Sequence, residues 1–275
     1  MTDPTDAPQR HREAPIPSNW YDESYYEKMN RGQDGEHEVF DFAVSLAEPV
    51  ASGMTALDVG CGRGELVMAL AARGASVLGV DYSDAALGLA RQRVADLGSS
   101  TASRIRLEAM DAKRLDVPDD SVDRVFMLDV VEHLHPWELS AAAGEIHRIL
   151  KPGGILVVHT CPNRRLFVGV RRLASAFRLQ MGSDRFHVNE QDDTTLCQVF
   201  NALDPRAFVL RDPVLWSNAI PAEHGALHVA GVATDKALAL PGIRQLVDNT
   251  SMVRALGTNV WMVGVKRTQR VDLAS

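Results

Sequence analysis

Thr55-Ala56-Leu57-Asp58-Val59-Gly60-Cys61-Gly62-Arg63-Gly64 decides how the rest of this chain is read. Five residues of strand-forming character run into three glycines spaced two apart, and the helix-forming run Glu65-Leu66-Val67-Met68-Ala69-Leu70-Ala71-Ala72 follows at once. A strand that breaks into glycines and re-emerges as a helix is the first unit of an α/β sheet. The glycines let the backbone bend sharply and come within reach of a ligand at distances a Cβ would block.

Working outward, short β-rich apolar runs alternate with helix-length segments, as in a parallel βαβ sheet. The pattern predicts strands at 55–59, 76–80, 105–109, 122–128 and 154–159, with helices at 64–73, 83–96 and 138–149. Gly74 ends the first helix, Ser83 caps the second, and Pro152-Gly153-Gly154 turns the chain into the fifth strand. A helix over 192–203 is opened by Asp192 or Asp193, and strands follow at Ala207–Leu210 and Asn259–Val265. Residues 1–18, with prolines at 4, 8, 15 and 17, read as a flexible tail. The remainder, 19–275, reads as one domain with lid elements around 19–48, 161–190 and 213–257, the last holding a helix between Pro241 and Gly257.

At 275 residues and 45% hydrophobic content the chain can bury a large core. A net charge of -7 disfavours a nucleic-acid partner, since nothing draws the chain as a whole to a phosphate backbone. Cys61, Cys161 and Cys197 follow no metal-ligand or disulfide spacing, which suits a reducing cytoplasm. The sequence carries no apolar run of membrane-spanning length and no secretory leader pattern in its first residues. The expectation is a cytoplasmic protein with no membrane partner, either a monomer or a homo-oligomer.

Asp81 lies 21 residues beyond Gly60, at the end of Ser76-Val77-Leu78-Gly79-Val80, where a carboxylate can accept from both hydroxyls of a ribose. Dinucleotide-binding proteins share that layout, but their fingerprint places a third glycine where this chain has Glu65. A carboxylate at the start of that helix would repel a pyrophosphate. In order and at these intervals, Leu57-Asp58-Val59-Gly60-Cys61-Gly62-Arg63-Gly64, Gly79-Val80-Asp81-Tyr82-Ser83, Ala109-Met110-Asp111-Ala112 and Leu150-Lys151-Pro152-Gly153-Gly154 resemble the motifs of class I S-adenosylmethionine (SAM)-dependent methyltransferases. The resemblance covers most of 54–160. It implies a Rossmann-like, doubly wound, seven-stranded, mostly parallel sheet whose last strand is antiparallel. It also implies SAM as co-substrate and methyl transfer to a small-molecule acceptor. On the same ground Gly60, Cys61, Gly62 and Gly64 pack against the cofactor, Asp58 orients the loop and the ammonium group, and Asp81 with Tyr82 flanks the ribose. Asp111 and Ala112 meet the adenine, and Asp129 or Val130 lines the methionine end.

Methyl transfer needs alignment, water exclusion and sometimes a base, because the sulfonium already activates the carbon. His133 and His135, beyond the fourth strand, and His187 are candidate bases. Loop shaping or helix capping would explain each of them as well. Asn163 could reach the pocket mouth from beyond the fifth strand. Arg164, Arg165, Arg171, Arg172 and Arg178 form the one basic segment. They fit either a solvated helix face or a surface for an acidic or phosphorylated acceptor. Trp20, Tyr21, Tyr25 and Tyr26 either close over the cofactor or pack an N-terminal helix. Glu223, His224 and His228 lack a metal-site order, and no metal is expected. An acceptor hydroxyl is favoured, with nitrogen and carbon left open, because no Asn-Pro-Pro-Tyr-type motif follows the fourth strand. The rivals are an NAD(P)-dependent oxidoreductase and a non-catalytic SAM-binding regulator.

Overall fold

The computed structural model describes residues 13–29, 36–176, 186–210 and 253–268, with the single positions 233, 236 and 240. Its strands are β1 (Thr55–Val59), β2 (Ser76–Asp81), β3 (Ile105–Ala109), β4 (Val122–Leu128), β5 (Leu150–Thr160), β6 (Arg206–Leu210) and β7 (Asn259–Val265). They form one sheet in the order β3-β2-β1-β4-β5-β7-β6. β1 to β5 pair in parallel, whereas β7 runs antiparallel to both β5 and β6 between which it is inserted. The described helices are α1 (Glu23–Met29), α2 (Glu36–Leu46), α3 (Glu65–Ala72), α4 (Asp84–Ala95), α5 (Ser99–Ala102), α6 (Pro136–Ile149), α7 (Arg164–Ala176), α8 (Asp193–Val199) and α9 (Val253–Leu256).

Strand periodicity explains why helices cover both faces. Successive side chains point to opposite sides of a sheet. Leu57, Val59, Val125, Met127, Leu156, Val158, Val260 and Met262 therefore face one core, which α6 and α8 complete with Leu139, Ile146, Leu196 and Phe200. Their neighbours Ala56, Phe126, Val157 and Trp261 face a second core, closed by Val44 of α2, Leu66 and Leu70 of α3, and Leu87 of α4. The chain winds from β1 out to β3, returns to β4 and continues the other way, so the order reverses beside β1 and β4. The crevice outside the carboxyl ends of those two strands is where such sheets bind ligands.

Three boundaries differ from the sequence reading. Order reaches back past the expected tail boundary at 18: Ile16 is buried, and the carbonyls of Glu13 and Ala14 accept from Trp137 Nε1 (3.2 Å) and His135 Nε2 (3.0 Å). Pro152-Gly153-Gly154 is not a turn before the fifth strand but a bulge inside it. Leu150 already pairs with Val122, the register shifts, and Ile155 resumes opposite Arg124. α6 starts two residues early, since Pro136 suits a first helical turn and the Glu138 carboxylate accepts from the His135 amide at 3.0 Å. The helix expected between Pro241 and Gly257 is described only as α9 at its end. Arg178, Glu223, His224 and His228 lie outside the described residues.

Candidate active site

The glycine loop is tied to the end of β2 by three backbone amides. The amides of Gly60 and Cys61 donate to the Val80 carbonyl at 2.8 and 2.9 Å, and the Gly62 amide donates to Asp81 Oδ2 at 3.0 Å. Gly60 has φ +74°, and a Cβ there would stand 2.4 Å from a methyl of Val130. β1, β2 and the turn after β4 are thus locked against one another at the crevice.

One cavity opens on this crevice. It is lined by Asp58, Gly60, Cys61, Gly62, Asp81, Tyr82, Asp111, Ala112, Asp129, Val130 and His133 among the expected site residues. Gly64, His135 and His187 do not line it. Gly64 instead lets α3 approach α4, where its Cβ would meet that of Ala90 at 3.3 Å. His135 caps α6 and its ring holds the N-terminal segment through Ala14, with Nδ1 2.9 Å from a Glu13 carboxylate oxygen. Ile16, Tyr21, Tyr25 and Tyr26 close one side of the cavity, and Ser83 Oγ ties this strap down by donating to the Tyr21 carbonyl at 2.7 Å.

The electrostatics favour a cation. Asp58 is buried, and burial together with the charges of Asp81 and Glu65 pushes its carboxyl up to about 8. Burial also raises Asp81, against the lowering effect of the amides of Ser83, Gly62 and Tyr82. Among the described residues no cation is an ion-pair partner of either carboxylate. Glu65 differs from the sequence reading in one respect: Arg63 at 2.9 Å and Arg93 both pair with it, so its charge is compensated. Any acidity that would repel a pyrophosphate therefore rests with Asp81, and with Asp58 only when it is ionised.

At the expected adenine side, Asp111 accepts from the Lys113 amide at 2.9 Å, and Lys113 Nζ sits between Asp111 (2.8 Å) and buried Glu138 (2.6 Å). Burial alone would lower the Lys113 ammonium, but the two carboxylates raise it. Lys113 and Glu138 line the cavity and were not singled out from sequence. They come together only through the packing of α6 against the turn after β3, and no local spacing signals them.

At the other end His133 Nδ1 lies 2.9 Å from the Phe186 carbonyl, so that nitrogen donates and Nε2 keeps the lone pair of the neutral ring. The ring packs against His187 at 5.0 Å and Tyr21 at 5.8 Å. One polar atom from each of Glu132, His133 and His187 lies within 4.8 Å of the others, the one such trio among the described residues. Glu132 is buried, which with the nearby Asp129 charge pushes its carboxyl up to about 8. Asn163 is not at the pocket mouth. It is buried, donates to the Arg254 and Gly257 carbonyls at 3.0 and 2.9 Å, and accepts from the Arg165 amide at 3.1 Å, so it fastens α7 to α9. Arg165 pairs with Asp192 and Asp193, and Arg171 with Glu190. Two members of the basic segment are thus bound within the chain, while Arg164 and Arg172 are exposed.

Residues 56–154 match the family described as "Methyltransferase domain". A probable S-adenosylmethionine-dependent methyltransferase of Mycolicibacterium smegmatis is 34% identical over 119 residues, covering 42% of this chain and 41% of the relative. A ubiquinone biosynthesis O-methyltransferase of Pseudomonas paraeruginosa is 37% identical over 109 residues, covering 40% and 45%. The chain therefore spans less than half the length of these curated relatives. Among solved structures, the geranyl diphosphate C-methyltransferase of Streptomyces coelicolor superposes with a TM-score of 0.59 at 19% identity, covering 88% of this chain and 82% of that one. YcgJ of Bacillus subtilis does so with a TM-score of 0.57 at 19% identity, covering 84% and 99%. These likenesses concern the fold. The glycine loop, the carboxylate at the end of β2, the seven-stranded order and the matched segment together identify residues 56–154 as a class I SAM-dependent methyltransferase domain.

Proposed function

We propose that this protein transfers the methyl group of SAM to a hydroxyl oxygen of a small molecule in the cytoplasm, releasing S-adenosylhomocysteine. The observation that carries the reading is the pairing of a tight bend through Gly60 and Gly62 with two buried carboxylates, Asp58 and Asp81, in one cavity. A sulfonium with an ammonium-bearing tail supplies the positive charge those carboxylates lack, and a ribose supplies hydroxyls for Asp81. The pyrophosphate of a nicotinamide dinucleotide would meet the same charges unfavourably.

In the transfer, the acceptor oxygen attacks the methyl carbon in line with sulfur, the C–S bond breaks and its electron pair stays on sulfur. The hydroxyl proton goes to His133, whose Nε2 holds the lone pair when Nδ1 donates to Phe186. The strap of Ile16, Tyr21, Tyr25 and Tyr26 excludes water from the reacting atoms. Support for oxygen as acceptor atom comes from this imidazole and from the O-methyltransferase among the relatives. An acidic or phosphorylated acceptor draws less support, because Arg165 and Arg171 are engaged by Asp192, Asp193 and Glu190.

The test is SAM turnover against a panel of phenols, hydroxy acids and sugars, read as S-adenosylhomocysteine formed, with and without a chelator to address the Glu132, His133 and His187 trio. Methyl ether products are expected. SAM binding without turnover on any acceptor supports a regulator instead, and tight NADH binding in place of SAM overturns the reading.

A further inference from the structure

His159, the penultimate residue of β5, stands behind the cavity wall and was not singled out from sequence. It is buried, and both ring nitrogens face acceptors: Nδ1 lies 2.9 Å from Asp129 Oδ1, and Nε2 lies 2.9 Å from Asn259 Oδ1. With its oxygen turned to the ring, the Asn259 amide donates through Nδ2 to Thr258 Oγ1 at 3.2 Å. A neutral ring donating Nε2–H to Asn259 would set its Nδ1 lone pair 2.9 Å from a carboxylate oxygen, a repulsive contact that an imidazolium turns into an ion pair, although Nδ1 is not aligned for a hydrogen bond. Trp261 packs on it with ring centroids 4.4 Å apart and keeps water away.

Asp129 is grasped at two points by the same residue. Its amide donates to the His159 carbonyl at 3.0 Å, and its carboxylate meets the His159 ring. Its backbone has φ +54°, a left-handed conformation that a residue other than glycine keeps only when its surroundings hold it there. The carboxylate is half-exposed toward the cavity that holds the glycine loop.

We propose that His159 is a positioning residue of the cofactor site, a buried imidazolium that fixes the Asp129 carboxylate, ionised, against the positively charged methionine end of SAM. The inference rests on the SAM reading of the cavity. The charged and titratable groups around the pair agree with it. His159 faces Asp129 on the turn after β4 and Glu132 one turn further on, both of which raise it against the lowering effect of burial. Asp129 faces His159 from β5, His133 from the following turn and His187 from the segment before α8, and these hold it below the usual carboxylate range. Without the imidazolium, a carboxylate beside buried Glu132 would take up a proton at mildly acidic pH.

Calorimetric titration of SAM into wild-type protein and into His159→Gln, from pH 8 to pH 5.5, tests this. Gln retains a donor for Asp129 but carries no charge. The ratio of variant to wild-type Kd is expected to grow about tenfold toward the acid end, the equivalent of roughly one unit in the Asp129 pKa. Titrations common to both proteins cancel in the ratio. If His159→Gln fails to fold, Asn259→Leu removes one acceptor and is expected to produce the same acid-dependent ratio. Nitrogen-15 imidazole spectra of the wild type, assigned by the signal that His159→Gln lacks, should show both nitrogens protonated at pH 7. A ratio that is constant with pH, or a singly protonated His159, overturns the proposal. A wild type that binds no SAM overturns the functional reading instead, which separates the two failures.

Discussion

Asp81 closes the glycine loop on which it depends: its Oδ2 accepts from the Gly62 amide at 3.0 Å while its Oδ1 accepts from the Ser83 amide at 2.8 Å. The carboxylate expected to bind the ribose is therefore also the clasp between the end of β2 and the loop after β1. Asp81→Ala should weaken SAM binding by about 1–3 kcal/mol through lost charge-assisted bonds. Asp81→Asn, which retains one acceptor oxygen, should fall between it and the wild type. Calorimetry checks both, and unchanged affinity in Asp81→Ala would remove this residue from the site.

Gly60→Ala should be more damaging than its small volume suggests. The new Cβ would stand 2.4 Å from Val130 Cγ2 at a φ of +74°. The left-handed backbone costs an alanine about 1–2 kcal/mol and the overlap about 1–3 kcal/mol more. Chemical denaturation should show a loss of that order. Adding Val130→Ala should recover the overlap but not the backbone cost, so full recovery in the double variant would contradict the account.

The contrast between these residues and His159 shows what a sequence makes legible. Gly60, Gly62 and Asp81 announce themselves because strand, bend and strand end are local patterns, and the alternation in Leu57, Val59 and Val125, Met127 encodes the two-faced sheet directly. Lys113 and Glu138 are separated by 25 residues, and their contact exists only once α6 has packed. The His159 and Asp129 pair depends on the β4–β5 register that sets Leu128 opposite His159. Asn163 has the look of a pocket residue from its place after β5. Its partners Arg254 and Gly257 are 91 and 94 residues away, which is why its structural role was invisible.

The raised carboxyl of Asp58 predicts a stability that falls with pH. Its ordinary value is 3.8 and its folded value about 8. Between those limits the native state keeps a proton that the unfolded chain has lost, so stability is highest near the lower value and declines as pH rises toward the upper one. The slope is on the order of 1 kcal/mol per pH unit at most. Thermal melts of the cofactor-free protein from pH 5 to pH 8 should therefore decline more steeply for the wild type than for Asp58→Asn. Saturating SAM should flatten the wild-type slope, because a bound cation keeps Asp58 ionised. Parallel slopes for wild type and variant would show that Asp58 holds no proton in this range.

Ser83 joins two functions in one hydroxyl, and substitutions can separate them. Its Oγ accepts from the Ala86 amide at 3.2 Å as the cap of α4 and donates to the Tyr21 carbonyl at 2.7 Å as the anchor of the strap over the cavity. Ser83→Ala loses both bonds and should cost about 1–2 kcal/mol of stability, whereas glycine at a cap costs only a few tenths of that kind of loss. Ser83→Gly should accordingly melt closer to the wild type than Ser83→Ala does. Both variants lack the Tyr21 anchor, so both should release SAM several-fold faster in stopped-flow displacement. If release instead quickens only as the melting temperature falls, with Ser83→Gly close to wild type in both, then the strap contributes nothing to cofactor retention and Ser83 is a helix cap alone.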